Sequence, residues 1–351
     1  MKFWKTVMYR AGFEALYRSG AYRLDALRDE GIGLILTLHH VRPRRAGDYQ
    51  PNAELEITPD FLDAALDFLR AAGFAFVSLE EAAARIAAPR PGPRFVAFTL
   101  DDGFRDNREV ALPLFRRYGV PFTLFATSGF VRRRAIIWWK VLETVIGYEP
   151  EVEFRFEEGT RVFRTRTASE KMRAVDLLAA WARLAEPSLV LERVAAFAER
   201  YGLDPMMPTD RDILTPDELV DLAQDPLATI GAHSVTHPNL ALLGESAAMA
   251  ELVGGANEIA DIIGRRPTFL AYPYGSGRAA GPREYRLAAE AGFDLAVTTQ
   301  PGVLRPEHRD RLHALPRISL NGHFQSAQHL DVLVSGAPFT LLDRFGRRGA
   351  A

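Results

Sequence analysis

The chain has 351 residues, of which 48% are hydrophobic and 25% are charged, and its formal net charge at pH 7 is −2. This composition excludes a disordered chain, and the balanced charge argues against nucleic acid as a partner. Because the chain has no cysteine, disulfides and thiolate catalysis are excluded. Any bound metal must therefore be held by His, Asp or Glu.

The first 30 residues predict a helical segment ahead of the main domain. Aromatic side chains such as Phe3 and Trp4 are mixed there with basic ones such as Lys5 and Arg10. Two interpretations stay open: an amphipathic helix in peripheral contact with a membrane surface, or a helix packed against the domain. We expect no secretory signal, because charges interrupt every apolar run, and no transmembrane helix, because no apolar window reaches about 18 residues.

Short apolar runs alternate with helical patterns from residue 31 onward. Strands are predicted at 32–38, 74–77, 95–100 and 121–127. Thr58 and Ser78 are predicted to cap two of the intervening helices, and a third helix is predicted at 108–118. This alternation is typical of parallel βα units.

The alternation stops between about residues 132 and 212. Three apolar residues that alternate with polar ones predict a strand, and Glu158-Gly159 predicts the turn of a hairpin. Two helical stretches follow, at 171–184 and 188–200. We interpret 132–212 as an α+β insertion within a domain that covers residues 31–345. The insertion begins with Trp138, Trp139 and Tyr148, which we expect either to form a substrate lid or to pack the insertion onto the domain.

The βα alternation then returns, with strands predicted at 227–231, 269–271, 295–298 and 315–320 and a long helix at 246–263. Three polar clusters follow predicted strands directly, which is where parallel α/β barrels keep their active sites. The first is Asp101-Asp102, followed by Gly103. One carboxylate can bind a cation while its neighbour acts as a base, although Asp-Gly is also a common turn pair.

The second cluster is His233 and His237, which can face one metal if the segment between them is helical or tightly turned. Two histidines and one aspartate would leave positions open for water, as a catalytic metal requires. A histidine pair alone could equally be structural. The third cluster, residues 272–275, reads Tyr-Pro-Tyr-Gly and fixes a sharp loop, or forms a simple strand-to-loop turn.

In this order the three clusters resemble the motifs of the polysaccharide deacetylase family, also called the NodB-homology family or carbohydrate esterase family 4. The resemblance extends from about residue 34 to residue 318, and it implies a role for each motif residue. Asp102, His233 and His237 would bind a divalent metal, expected to be Zn²⁺, with Co²⁺, Ni²⁺ or Mn²⁺ as alternatives. Asp101 would be the general base, and the backbone N–H of Tyr274 would help to hold the oxyanion.

The chain departs from the family pattern at two catalytic positions. Ala271 stands where many members have an arginine that orients the base, and we expect Arg317 to approach from another strand and replace it. Many members supply the acid from a Leu-x-His motif near the C-terminus, and this chain has no clean copy among His313, His323 and His329. Leu38-His39 resembles the strand end of a family subset, so we predict His39 as the acid. His40 is expected on the opposite face of that strand.

The resulting prediction is an α/β fold: a distorted (β/α) barrel of about seven parallel strands, with the active site at the strand ends. The expected function is metal-dependent removal of an N-acetyl group, or less favourably an O-acetyl group, from a glycan or lipid-linked amino sugar in envelope or exopolysaccharide metabolism. Two alternatives stay open: hydrolysis of another amide of formamide or ureide type, and an inactive carbohydrate-binding homologue. We expect a cytoplasmic location, in association with the inner face of the membrane if the N-terminal helix binds it. No oligomeric state is predicted.

Overall fold

The computed structural model describes residues 2–29, 31–90 and 92–344, without the side chains of residues 2–7 and 343. Phe345, the predicted end of the main domain, therefore lies outside the described residues, as do the side chains of Phe3, Trp4 and Lys5. Within the described part of the chain, no helix combines the length and the apolarity needed to cross a bilayer.

The strands of the described chain are β1 Gly33–Leu38, β2 His40–Val41, β3 Glu56–Ile57, β4 Ala75–Phe76, β5 Phe95–Leu100, β6 Phe122–Ala126, β7 Glu151–Phe156, β8 Gly159–Arg164, β9 Ala228–Ala232, β10 Phe269–Ala271, β11 Leu295–Val297 and β12 Ile318–Ser319. Seven of them form a parallel sheet in the order β11-β10-β9-β6-β5-β1-β12, and β4 also pairs with β5. A parallel bridge between Val297 and Leu315 joins β11 to the segment before β12, so the sheet curls back on itself. This architecture confirms the predicted distorted barrel.

The central strands are long apolar runs because helices or side chains cover both of their faces. Every residue of β1, β5 and β6 is buried. The α-helices of the described chain are α1 Lys2–Ser19, α2 Pro59–Ala71, α3 Leu79–Ala87, α4 Leu112–Tyr118, α5 Ser128–Val131, α6 Trp138–Tyr148, α7 Ala168–Ala182, α8 Pro187–Arg200, α9 Met207–Asp212, α10 Pro216–Ala223, α11 Glu245–Ile263, α12 Pro282–Glu290, α13 Ala327–Val334 and α14 Ala337–Arg344.

Local sequence signals account for several helix starts. The hydroxyl of Thr58 accepts the N–H of Phe61, and that of Ser78 accepts the N–H of Glu81, which confirms both predicted caps. The helix predicted at 108–118 is not uniform. A π-helical segment, Asn107–Ala111, precedes α4, and such segments are frequent at functional sites.

The region between β6 and β9 contains α5 to α10 and the antiparallel hairpin of β7 and β8. The apolar face of the hairpin packs against the helices behind it, with the ring of Phe154 5.1 Å from Trp181 and 5.4 Å from Phe197. Trp138 and Trp139, at the start of α6, are buried, whereas Tyr148 is exposed. The sequence predicts that these aromatic residues either form a substrate lid or pack the insertion onto the domain. Both tryptophans are packed.

Helix α1 contacts the C-terminal part of the domain. The ring of Phe13 lies 5.2 Å from Phe324 and 5.7 Å from His329, and Arg10 donates a hydrogen bond to the carbonyl of His323. Met8 is exposed on the same helix. The packed-helix interpretation thus describes the inner face of α1.

Candidate active site

Strands β5 and β9 flank β6, and their carboxyl ends bring the first two motifs together. Asp102 follows β5, and His233 and His237 follow β9. Possible ligand atoms of the three side chains all lie within 4.8 Å of one another. The Asp102 Oδ1 atom is 3.4 Å from Nε2 of each histidine. All three residues are buried, so the structure assembles the predicted Asp–His–His centre.

Backbone geometry aims these side chains inward. The φ angles of Asp102, Ser234 and His237 are 75°, 62° and 58°, which is left-handed backbone that residues other than glycine rarely adopt. Nδ1 of His233 lies 2.7 Å from the carbonyl oxygen of Ala271. When Nδ1–H donates to that carbonyl, Nε2 keeps its lone pair toward Asp102, as a metal-binding histidine requires.

The charge state of the centre fits a divalent cation. Burial alone would raise the pKa of Asp102, but the neighbouring imidazoles of His233 and His237 hold it well below its ordinary value. The carboxylate is therefore ionised, and its buried Oδ1 accepts no hydrogen bond from any described residue. A buried anionic oxygen without a donor, facing two imidazole nitrogens, is the donor set of a three-ligand metal site with open positions.

Asp101, the neighbour of Asp102, lies against Arg317. Two guanidinium nitrogens donate to its two carboxylate oxygens at 2.8 and 2.7 Å, and both side chains are buried. Arg317 also donates to the Thr298 carbonyl and to the Thr99 hydroxyl, at 2.8 and 3.0 Å. Burial would raise the pKa of Asp101, but Arg317 lowers it below the ordinary value, and His39 is near enough to contribute. The structure thus brings Arg317 against Asp101, which is the contact expected of a residue that replaces the arginine lacking at Ala271.

Tyr274 lies in the sharp loop after β10. Its φ angle is 61°, and no described residue accepts a hydrogen bond from its backbone N–H. The loop is fixed by Gly275, where a Cβ atom would lie 2.6 Å from the backbone nitrogen of Thr299. The Tyr274 hydroxyl accepts a hydrogen bond from Trp138 at 3.0 Å, and burial raises the pKa of that hydroxyl to about 12.

The two histidines after β1 differ in their surroundings. His39 is half-buried, and its carbonyl accepts a 2.6 Å hydrogen bond from Asn107. His40 is buried, stacks on Phe104 at 3.6 Å, and places Nδ1 2.6 Å from Asp106 Oδ2. Burial lowers the pKa of His40 and raises that of Asp106 to about 7.

Sequence reasoning missed two residues that hold the site. Asp106 anchors His40 and accepts the backbone N–H of Val41 at 3.3 Å; its place four residues after Asp102 was an available signal. Glu251, in the middle of α11, accepts the backbone N–H groups of Val235 and Thr236 at 2.8 and 2.9 Å. Glu251 thereby fixes the loop that carries His237, and no local pattern distinguishes it from a surface glutamate.

The remaining histidines that were considered for the acid lie outside the Asp–His–His centre. Nε2 of His313 is 2.8 Å from the carbonyl of Phe293, and Nδ1 of His329 is 2.6 Å from the hydroxyl of Ser326. His323 lies beside α1, where its carbonyl accepts from Arg10. Of the candidates for the acid, the structure brings His39 to the strand ends that carry the centre.

The chain was compared with protein-family models, with curated sequences and with solved structures. Residues 88–296 match the family described as polysaccharide deacetylase. The fold is similar to that of the Streptococcus pyogenes deacetylase PplD in complex with acetate, with 18% identity, a TM-score of 0.57, and coverage of 86% of this chain and 97% of that one. It is also similar to IcaB from Ammonifex degensii, with 17% identity, a TM-score of 0.57, and coverage of 88% and 98%.

A de-N-acetylase from Aggregatibacter actinomycetemcomitans is 13% identical, with a TM-score of 0.53 and coverage of 86% of this chain and 99% of that one. At these identities the structural likeness shows the fold alone. No curated protein sequence matches the chain significantly.

Proposed function

Because the chain belongs to the polysaccharide deacetylase family, we propose that it is a metal-dependent hydrolase that removes an N-acetyl group from an amino sugar of a glycan or lipid-linked precursor. The observation that carries this proposal is the pairing of Asp101, held by Arg317, with the adjacent Asp102–His233–His237 centre. One carboxylate is positioned as a base, and its neighbour completes a cation site.

Asp102, His233 and His237 would hold a divalent cation, for which we propose Zn²⁺. When bound, such a cation polarises the acyl carbonyl and lowers the pKa of water. Histidine and carboxylate ligands also suit Co²⁺, Ni²⁺ and Mn²⁺, so the donor set alone does not choose among these metals.

Asp101 would take the proton from the attacking water. Arg317 occupies one hydrogen-bonding position on each carboxylate oxygen. Each oxygen therefore keeps a second lone pair that can accept a proton. The low pKa of Asp101 keeps this base ionised, and the rigid two-donor contact fixes its orientation.

The remaining steps would use two groups at neighbouring strand ends. The backbone N–H of Tyr274 has no acceptor among the described residues, so it is available to the oxyanion of the tetrahedral intermediate. His39 would donate the proton that the leaving amine needs. The presence of a base, a cation site and a replacement arginine disfavours the inactive carbohydrate-binding alternative.

The test is acetate release from N-acetylglucosamine oligomers by the metal-loaded chain, with metal content measured on the same preparation. A parallel assay for formate release from N-formyl amino sugars separates the deacetylase from the formamide hydrolase. Acetate release that requires the metal supports the proposal. A chain that binds one metal ion and releases neither acid, from these substrates or from N-acetylglucosamine 1-phosphate and its diphosphate-linked forms, would overturn it.

A further inference from the structure

A basic pocket of about 370 Å³ is lined by the loop that follows β2. We define it by Arg10, Arg42, Arg44, Arg45, Glu56 and Gln325. Arg42 follows His39 by three residues, so their Cα atoms are at most about 10 Å apart. Strand β2 between them pairs with β3, with His40 opposite Glu56. Because Leu38 pairs with Leu100 in the sheet, His39 lies next to Asp101, and the pocket is therefore close to the strand ends that carry the Asp–His–His centre.

The basic pocket carries excess positive charge. Among the described residues that line it, Glu56 is the only acid. Glu56 Oε1 contacts Arg42, Arg45 at 3.0 Å and Lys140 at 3.4 Å. Behind it, Glu143 contacts Arg45 at 2.5 Å and Lys140 at 3.4 Å. Three cations thus share two carboxylates, and we call these five residues the ion cluster.

Two further arginines add charge that the ion cluster does not compensate. Arg44 is exposed and contacts no carboxylate among the described residues. Arg10 donates to the His323 carbonyl, which is a neutral acceptor and does not compensate the positive charge of Arg10. The Nε atom of Arg42 is buried and has no acceptor among the described residues. A buried donor without a partner is costly unless a ligand supplies an acceptor.

The walls of the basic pocket are held in place by the fold. A Cβ atom at Gly322 would lie 1.9 Å from the carbonyl oxygen of Ala53, so only glycine allows these two segments to approach. Gln325 accepts the backbone N–H of Thr58 at 2.8 Å. Gln50 donates to the carbonyl of Arg45 at 2.8 Å and so fixes the loop that carries the arginines. The pocket therefore exists before any ligand arrives.

We propose that the basic pocket binds a phosphate group of the substrate, so that the hydrolysed amino sugar is phosphorylated or phosphate-linked. This inference rests on the proposed deacetylase function. Guanidinium groups bind phosphate through paired donors. A phosphate offers more acceptor oxygens than a carboxylate, which suits a pocket with several arginines. The phosphate could belong to a nucleotide or to a lipid carrier, and the experiment separates these sources.

The first measurement is calorimetric binding of pyrophosphate to the metal-loaded full chain. Arg44→Glu should raise the Kd about tenfold or more, because it removes one charge-assisted contact and adds a repulsive charge. The matched control is Arg164→Glu, since Arg164 is exposed on β8 of the hairpin. This control should bind like the unchanged chain. Absence of binding, or equal weakening by both variants, would overturn the proposal, and unchanged binding by Arg44→Glu would assign the anion to the metal centre instead.

The second measurement is the ratio of kcat/KM for N-acetylglucosamine 1-phosphate to that for the uncharged methyl glycoside. Arg44→Glu should lower this ratio about tenfold, and Arg164→Glu should leave it unchanged. A nucleotide diphosphate sugar and a prenyl diphosphate sugar, compared in the same assay, identify the source of the phosphate.

The two proposals fail in different ways. If the chain releases acetate but Arg44→Glu does not change its preference for the phosphorylated sugar, the phosphate pocket is rejected and the deacetylase function is retained. Pyrophosphate binding that depends on Arg44, without acetate release from any of these sugars, would reject the deacetylase and keep the anion site.

Discussion

The Asp–His–His centre and the ion cluster both bury carboxylates, but they compensate the charge in different ways. In the ion cluster, Glu56 and Glu143 each contact at least two cationic side chains, and Glu143 also accepts from Asn52 at 2.9 Å. In the centre, Asp102 Oδ1 is 3.4 Å from two imidazoles and accepts no hydrogen bond from the described residues.

This difference separates carboxylates that the chain itself compensates from a carboxylate that needs a cation. A buried carboxylate is tolerated only when a positive partner or several donors compensate for its lost hydration. The ion cluster provides those partners itself and so joins the loop after β2 to helix α6. The centre provides one carboxylate and two imidazoles without a hydrogen-bond donor to the buried oxygen of Asp102, and a divalent cation would supply the missing compensation.

The largest effect is expected from His237→Ala. With two ligands left, the centre should lose its metal, and acetate release should fall by at least about 10³-fold because the Lewis acid is lost. Metal content and activity are measured on one preparation. The control is His329→Ala, which removes an imidazole on α13 that contacts the N-cap residue Ser326, and it should keep both. Full metal occupancy in His237→Ala would mean that the centre is not the metal site.

The next effect separates the two adjacent carboxylates. Asp101→Asn should retain the metal and lose about 10²- to 10⁴-fold in kcat, since the amide cannot accept the proton of water. Asp102→Asn should weaken metal binding itself, which a chelator competition would measure. The opposite pattern would exchange the two roles, and a fully active Asp101→Asn would remove the general base from the mechanism.

A smaller effect is expected from His39→Ala, and it should depend on the leaving group. Amide substrates should slow by about 10²-fold, because the amine must be protonated as it leaves. Activated aryl acetates should slow much less, since their leaving group needs no proton. His40→Ala serves as the comparison, because His40 is held by Asp106. Equal slowing of both substrate classes by His39→Ala would indicate a positioning role.

The barrel and its motif positions could be predicted because their signals are local. Apolar runs such as Phe95–Leu100 identify strands without reference to the rest of the chain, and Asp102 lies two residues beyond that strand. Two histidines four residues apart are likewise visible in the sequence. The curled sheet then brings these strand ends together without any further information.

The supporting contacts could not be predicted in the same way. Glu251 holds a loop 15 and 16 residues away, Lys140 meets a carboxylate 84 residues away, and both look like surface residues along the sequence. Arg317 meets Asp101 across 216 residues. The sequence points to it only through the arginine missing at Ala271, and its two-donor geometry depends on how the last strand pairs with β1. Long-range polar contacts leave no periodic pattern.

Arg317→Ala is expected to have a more modest effect that depends on pH. Without the guanidinium, burial dominates and the pKa of Asp101 rises. Because the base must be ionised, the acidic limb of the kcat/KM profile should move to higher pH. The plateau should fall about tenfold to a hundredfold as Asp101 loses its orientation, while metal is retained. Arg317→Lys should recover only part of this, because lysine lacks the planar fork. Lower thermal stability with an unmoved profile would make Arg317 a purely structural residue.

Substitution of Lys140 in the ion cluster is expected to have the smallest effect on the Asp–His–His centre. Lys140→Met removes a buried cation and leaves Glu56 and Glu143 to share the two arginines. The free energy of unfolding in urea should fall by about 3 kcal/mol, because a buried carboxylate loses a partner, while the metal content stays the same. Lys171→Met is the control, since the half-buried ammonium of Lys171 donates to the Gly147 carbonyl on α6 and lies 5.7 Å from the centre of the Tyr49 ring, without a carboxylate partner among the described residues. Its cost should be about 1 kcal/mol. Loss of metal in Lys140→Met would show that the two buried sites are coupled, and the distinction between a self-compensated cluster and a ligand-requiring centre would then not hold.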